Sequence, residues 1–212
     1  ATHIAVQIAG SVAAFADMMN QKAQELGCVN THFVNASGMP DENHYTTAHD
    51  MALIFREAIK NQDFLDIIGT QSFTIDPTNM NPESRTYSTH HALVAQGAPE
   101  YYEGCFGGKT GVTEASKNTL VSGATRDGMT LICVVLNCGP MWEESERLLE
   151  YVFKSYSMKE LLQPYFVCGS IDVENGDKQT VDVFSMKGFS YPMTNEEYQK
   201  VCVTFDYPTI MQ

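Results

Sequence analysis

Seven consecutive residues, Gly107-Gly108-Lys109-Thr110-Gly111-Val112-Thr113, carry the densest chemistry in this 212-residue chain. A Lys set between Gly and Thr first invites comparison with a phosphate-binding loop. That loop requires a Gly five positions before Gly108, where Glu103 stands, and a helix next, whose N-terminus cradles the phosphate. Strand-forming residues follow instead, so the phosphate loop fails on spacing and on context. The better reading is a Lys-Thr-Gly strand lining a serine acyl-transfer cleft. The Lys109 ammonium and the Thr110 hydroxyl would attract and orient a substrate carboxylate. Gly111 would let substrate lie against the strand edge. The Val112 N–H would donate into an oxyanion hole, a role that asks nothing of the side chain.

The elements that must position this segment are legible on both sides of it. Residues 1–10 read as the interior of an apolar helix. Residues 12–26 read as a second, with Phe15, Met18, Met19, Ala23 and Leu26 at three- and four-residue spacing, Ser11 as N-cap and Gly27 as C-cap. A loop rich in Asn, Gly and Pro leads to Thr47-x-x-Asp50, a helix start signal for an apolar face of Met51, Ile54, Phe55, Ala58 and Ile59. Residues 63–68 predict one more short helix. Beyond Thr70 the pattern turns to strand. Residues 71–75 alternate weakly, residues 76–85 form a loop, and residues 119–125 and 129–136 are β-rich runs joined by Arg126-Asp127-Gly128, whose Asp-Gly is a hairpin turn signal. Residues 143–156 return to helix. The tail reads as strands and turns: FVCGSIDV, an Asn175-Gly176 turn, QTVDVF and VCVTF. This pattern sets a domain boundary near residues 160–165.

Composition narrows the function. Hydrophobic residues at 43% and charged residues at 18% describe a globular chain. The longest purely apolar stretch, residues 131–136, is too short to cross a bilayer. Thirteen Lys and Arg against 26 Asp and Glu leave a net charge of -13, which excludes phosphate neutralisation as the main business and speaks against nucleic acid as a partner. The six cysteines contain no CxxC pair, so zinc-ribbon and thioredoxin-like sites are excluded. Cys133 and Cys168 read as small buried hydrophobes. His44 with His49, and His90 with His91, lack a third ligand at suitable spacing and are expected in loops or at the surface. Glu143, Glu144 and Glu146 suit the first turn of a helix, where they complement its dipole. No metal or cofactor is implied.

Four stretches in order, AGSVAAFADMMNQKAQELG, NTHFVNASGM, HYTTAHDMALIFREAI and GGKTGVTEASKNTLVSGATRDGMTLICVVL, closely resemble the serine-type D-alanyl-D-alanine carboxypeptidases, the low-molecular-mass penicillin-binding proteins. The resemblance covers roughly residues 1–160. It implies an α+β fold: part of a β-lactamase/transpeptidase-like domain over residues 1–162, with a helical subdomain against an antiparallel sheet. Residues 163–212 would begin a β-rich C-terminal domain. Carried onto this chain, Lys109 and Thr110 would bind the terminal carboxylate of a peptidoglycan stem peptide, Gly111 would give clearance, and Val112 would be an oxyanion donor. Thr46, Asp50 and Thr113 fall on positions with a structural role. The family's Ser would attack the carbonyl between the terminal D-alanines, release D-Ala and be freed by water, and β-lactam antibiotics would acylate the same Ser. The substrate implies a protein exported to the cell envelope.

The chain departs from that pattern in one respect. No Ser or Thr has a Lys three positions on, so the S-x-x-K nucleophile and base are not found among the 212 residues. Ser116-Lys117-Asn118 mimics the family's S-x-N but follows the Lys-Thr-Gly instead of preceding it. The expectation is a piece of a longer protein that is inactive alone and is partnered by its own N-terminal segment. It would bear unpaired strand edges and an exposed apolar face over residues 119–136. Two other readings stay open: a non-catalytic peptidoglycan-binding module, and a β-lactamase-like relative.

Overall fold

In the computed structural model, residues 1–174 and 176–206 are described, together with the backbone of residues 210–211. They divide into two compact units: residues 1–126 with 130–151, and residues 127–129 with 152–212. The Asn175-Gly176 turn lies outside the described residues at its first position.

The first unit begins with helices whose ends are set by local chemistry. Helix α1 (Thr2–Ala9) stops at Gly10, which takes φ 83°. Helix α2 (Val12–Glu25) starts where the Ser11 side chain accepts from the Ala14 N–H, and Gly27 at φ 85° turns the chain away. Helix α3 (Ala48–Ala58) is capped by Thr47, whose hydroxyl accepts from the Asp50 N–H at 3.1 Å. Helix α4 (Gln62–Gly69) is capped in the same way by Asn61. Strands β1 (Ser72–Ile75) and β2 (Arg85–Ser88) form a two-stranded antiparallel ribbon, with Phe73 opposite Tyr87.

Strands β3 (Cys105–Thr113), β4 (Lys117–Arg126) and β5 (Met129–Val135) follow as a sheet with β4 in the centre. The central strand carries the core. Leu120 and Ala124 are fully buried and Val121 nearly so. Burial of a side chain such as Leu120 contributes about 2 kcal/mol. Asp127 and Gly128 both take positive φ, as the Asp-Gly signal requires. Helix α5 (Met141–Ser155) adds Leu149 to the core. The expected exposed apolar face over residues 119–136 is not found. Residues 120–124 are buried, and Leu136 at the end of the run is exposed, as are Ile4, Val6 and Ile8 on α1.

The second unit contains β6 (Ser157–Leu162), which pairs antiparallel with β9 (Phe189–Met193). It also contains β7 (Val167–Val173), flanked by antiparallel β8 (Thr180–Phe184) and by the parallel two-residue β10 (Ile210–Met211). Thr194 and Glu197 form a capping box on the short helix α6 (Asn195–Tyr198). Residues 201–205 (VCVTF), expected as a strand, carry none.

Candidate functional site

Strand β3 lies at one edge of its sheet, because the order is β3-β4-β5. Alternate residues of an edge strand turn their N–H and C=O groups away from the neighbouring strand, where an extended ligand can take them. Its register on β4 sets Gly108 opposite Ser122, Lys109 opposite Val121, Thr110 opposite Leu120 and Gly111 opposite Thr119. Lys109 is exposed and Thr110 half-buried. The Lys109 ammonium donates to the Thr110 carbonyl at 2.5 Å. The ammonium is thereby held at the Thr110 main chain on an edge strand, where a cation suits an anionic group.

Close approach explains the glycines. Gly107 takes φ 137°, and a Cβ there would stand 2.6 Å from the Ile68 carbonyl oxygen at the end of α4. A Cβ on Gly108 would meet the Val121 carbonyl oxygen at 2.0 Å and His91 Nε2 at 2.7 Å. A Cβ on Gly111 would meet the Thr119 hydroxyl at 2.6 Å, a hydroxyl that donates to the Gly111 carbonyl at 3.0 Å. Behind the strand, Phe106 stacks on Phe55 of α3 with ring planes 2° apart. The Lys-Thr-Gly segment is therefore wedged against α4, β4 and His91, with its outer edge free.

A groove of about 380 Å³ opens beside Gly108 and Lys109, bordered by Ile68, Phe73, Tyr87 and Thr89. Lys109 is the one charged side chain on its lining. Phe73 and Tyr87 leave their rings exposed there. A larger hollow of about 630 Å³ in the second unit is lined by Lys159, Leu162, Phe166, Tyr198 and Phe205 among others, and there the Lys159 ammonium donates to Asn195 Oδ1 at 2.8 Å.

The positions read as structural are held by hydrogen bonds. Asp50 is 1% exposed and accepts from the Asn30 N–H at 2.8 Å and the Thr31 hydroxyl at 2.7 Å. The Thr31 hydroxyl also meets that of Thr46 at 2.9 Å. The Thr31 bond holds the Asp50 carboxyl below its usual range, against the opposing effect of burial and with help from the Asn30 N–H. Asp50 thus pins the loop before Thr46 to the start of α3. Thr113 accepts from the Ser116 N–H at 2.9 Å. Ser116 and Lys117 form the β3–β4 turn, Lys117 at φ 53°, so the Ser-Lys-Asn mimic is turn chemistry.

One expectation is sharpened and one corrected. His91 lies in the loop between β2 and β3, as expected, but it is not at the surface. It is 4% exposed, lies beneath Gly108 and sits 5.4 Å from the Trp142 ring. The doublet His90-His91 gave no signal of this, because the burial depends on the approach of β3 from residues much later in the chain. Cys168 is half-buried instead of buried, while Cys133 is buried as expected. All six thiols are free.

Comparison with known proteins identifies the family of the chain. Residues 1–139 match the peptidase family described as D-alanyl-D-alanine carboxypeptidase. The D-alanyl-D-alanine carboxypeptidase DacF of Bacillus subtilis is 27% identical over 186 residues, covering 86% of this chain and 46% of that protein. Penicillin binding protein 5 from Haemophilus influenzae superposes with a TM-score of 0.71 at 25% identity, over 93% of this chain and 56% of that one. A peptidoglycan synthesis regulatory factor from Streptococcus pneumoniae, at 24% identity and a TM-score of 0.74, shares the fold over 92% of this chain and 57% of its own length. The chain thus spans about half the length of the relatives it matches. The resemblance read from the four stretches holds, and so does the expected α+β transpeptidase-like fold of helices with antiparallel sheets.

Proposed function

We propose that this chain, which belongs to the D-alanyl-D-alanine carboxypeptidase family, supplies the substrate-holding strand of an acyl-serine D-Ala-D-Ala carboxypeptidase. Lys109 and Thr110 bind the α-carboxylate of the terminal D-Ala of a peptidoglycan stem peptide. The Val112 N–H donates to the scissile carbonyl oxygen, and Gly111 keeps the strand edge clear. The nucleophile comes from residues outside these 212, in which no Ser or Thr has a Lys three positions on. Its hydroxyl oxygen adds to the carbonyl carbon between the two D-alanines, the C–N bond breaks, and free D-Ala leaves with the hydroxyl proton. Water then adds to the acyl ester, releases the shortened peptide and restores the Ser. A β-lactam forms the same ester through its ring carbonyl. Such a protein works outside the cytoplasmic membrane, where its substrate lies.

The observation that carries this reading is the Lys109-Thr110-Gly111 segment on an open edge strand, with the ammonium beside the hydroxyl-bearing residue and a groove alongside. Intact-mass spectrometry after incubation with a penicillin tests it, run on the 212-residue chain and on the full-length polypeptide. The expected result is one penicilloyl adduct on the full-length polypeptide, formed more slowly in Lys109→Ala, and none on the chain alone. A penicilloyl adduct on a Ser of the chain itself, or none on the full-length polypeptide, overturns the proposal.

A further inference from the structure

His91 is a buried imidazole that the proposed chemistry does not use. It is 4% exposed, and neither ring nitrogen makes a well-formed hydrogen bond among the described residues, although the Val121 carbonyl is placed to favour its protonated form. Its main chain is fixed: its N–H donates to the Thr89 hydroxyl at 3.1 Å, and its carbonyl accepts from Val94 at 3.0 Å and Ala95 at 3.2 Å. Its ring underlies Gly108 so closely that any β-carbon there would meet Nε2 at 2.7 Å. The ring of Trp142, on α5, lies 5.4 Å from the imidazole at an interplanar angle of 59°. The imidazole is therefore the floor on which β3 rests at the residue immediately before Lys109.

We propose that His91 is a positioning residue for Lys109: the neutral ring holds the Gly108–Lys109 segment against β4, and protonation of that ring releases the segment. The surroundings give the direction. From β3 the facing charged group is Lys109, a second cation. From β4 come the Val121 carbonyl and Ser122, and from α5 the indole of Trp142; none of these titrates near neutrality. Among the described residues no carboxylate acts on the ring to receive a proton's charge. Burial is the largest influence on the imidazole and pushes its titration down; the Val121 carbonyl opposes this, and the Lys109 charge pushes it down further. Burial thus disfavours the charged ring while β3 stays closed over it. Opening of β3 exposes a ring that takes a proton near its ordinary pKa, about 6.5. The opened state is then favoured progressively as pH falls below that value. Linkage sets the size at up to about tenfold between pH 7.5 and 5.5.

The role matters for function through Lys109, so its consequence for ligand binding rests on the reading proposed above. Over the same pH range a carboxylate and a primary ammonium of ordinary pKa keep their charges. Any loss of carboxylate affinity there has to come from the strand and not from the two partners.

Amide hydrogen exchange on the wild-type chain tests the proposal without a ligand. After correction for intrinsic exchange, protection at the amides of residues 107–110 that bond to β4 is expected to fall by up to about tenfold from pH 7.5 to 5.5. Amides of α2 and α3 serve as the reference and are expected to hold. In His91→Phe, a neutral ring that fills the site, the pH dependence is expected to vanish. Should that variant misfold, His91→Asn offers a smaller neutral replacement, and the wild-type profile decides regardless. Protection that stays level or rises at pH 5.5 in the wild type overturns the proposal; a rise would mean that the Val121 carbonyl captures the imidazolium. An equal fall in His91→Phe overturns it too. In parallel, affinity for an N-acetylated peptide ending in D-Ala-D-Ala is expected to follow the wild-type exchange profile. Absence of peptide binding at either pH would refute the functional reading alone, leaving the exchange result to judge His91.

Discussion

Replacing Gly108 by Ala puts the packing beneath Lys109 to a quantitative test. Gly108 does not take positive φ, so its backbone accepts Ala, and reduced freedom of the unfolded chain alone would stabilise the variant by about 0.4–1 kcal/mol. The contacts oppose this. The new methyl would lie 2.0 Å from the Val121 carbonyl oxygen, 2.7 Å from His91 Nε2 and 2.9 Å from the Ser122 Cα. A carbon-to-oxygen contact is ordinarily about 3.3 Å or more, so β3 must retreat from β4 by roughly 1 Å. Hydrogen bonds of the ladder do not survive such a retreat, and losing about two of them costs about 1–3 kcal/mol net. Overpacking adds about 1–3 kcal/mol. The clash therefore wins, with a net destabilisation of about 1–5 kcal/mol, a large part of the stability of an ordinary domain. Gly139→Ala is the matched control. Nothing lies within 4 Å of its added methyl and its φ is not positive, so it is expected to gain about 0.4–1 kcal/mol. Urea unfolding of the two variants and the wild type gives the comparison directly. A Gly108→Ala chain as stable as the wild type would refute the packing argument, and with it the floor assigned to His91.

Other expectations follow from buried groups. The ionised Asp50 carboxylate, favoured by the Thr31 hydroxyl, contributes stability that is present above its ordinary pKa and lost as pH falls through its lower folded value. Thermal unfolding between pH 5 and 2 is thus expected to show a slope that shrinks in Asp50→Asn, and an unchanged slope would count against the assignment. Burial raises the Cys105 thiol to about 11, whereas Cys202 is exposed. Alkylation at pH 8 followed by peptide mapping is expected to label Cys202 well before Cys105, and equal rates would contradict the burial. Tyr102, buried and donating to Glu150 at 2.9 Å, is pushed up to about 12. Its phenol is expected to ionise after the exposed tyrosines in an ultraviolet titration, and the folded state to lose stability as pH rises past 10. A titration in which all the tyrosines ionise together near pH 10 would exclude this.

The elements that sequence made legible are those decided by neighbours in the chain. Ser11, Thr47 and Asn61 accept hydrogen bonds within three residues, and the helices they start lie within a residue or two of where periodicity set them or, for α1, the expected apolar run. The Asp127-Gly128 turn and the apolar runs beside it produced β4 and β5 for the same reason. The misses need partners from elsewhere. Arg85-Thr86-Tyr87-Ser88 is polar and short, and becomes β2 only by pairing with β1. Phe189–Met193 contains Pro192, which argues against a strand, yet it pairs at the edge of a two-stranded sheet where a missing N–H is tolerated. The run VCVTF has strand composition but no partner among the described residues. At the site, Lys109, Thr110 and Gly111 could be singled out because their types and order carry the chemistry. His91 could not, since its burial depends on a glycine far along the chain, Gly108, that lets β3 come down on it.

The central claim is that the Lys109 strand holds a terminal carboxylate. Titrating an N-acetylated D-Ala-D-Ala peptide into the isotope-labelled chain, in its free-acid and C-terminal amide forms, tests this most directly. The account predicts saturable shifts at the amides of residues 109–112 with the free acid. It predicts at least about tenfold weaker binding of the amide, and the same loss in Lys109→Ala, as expected for a charge-assisted hydrogen bond. Equal binding of acid and amide, or shifts that leave residues 109–112 unmoved, would contradict it.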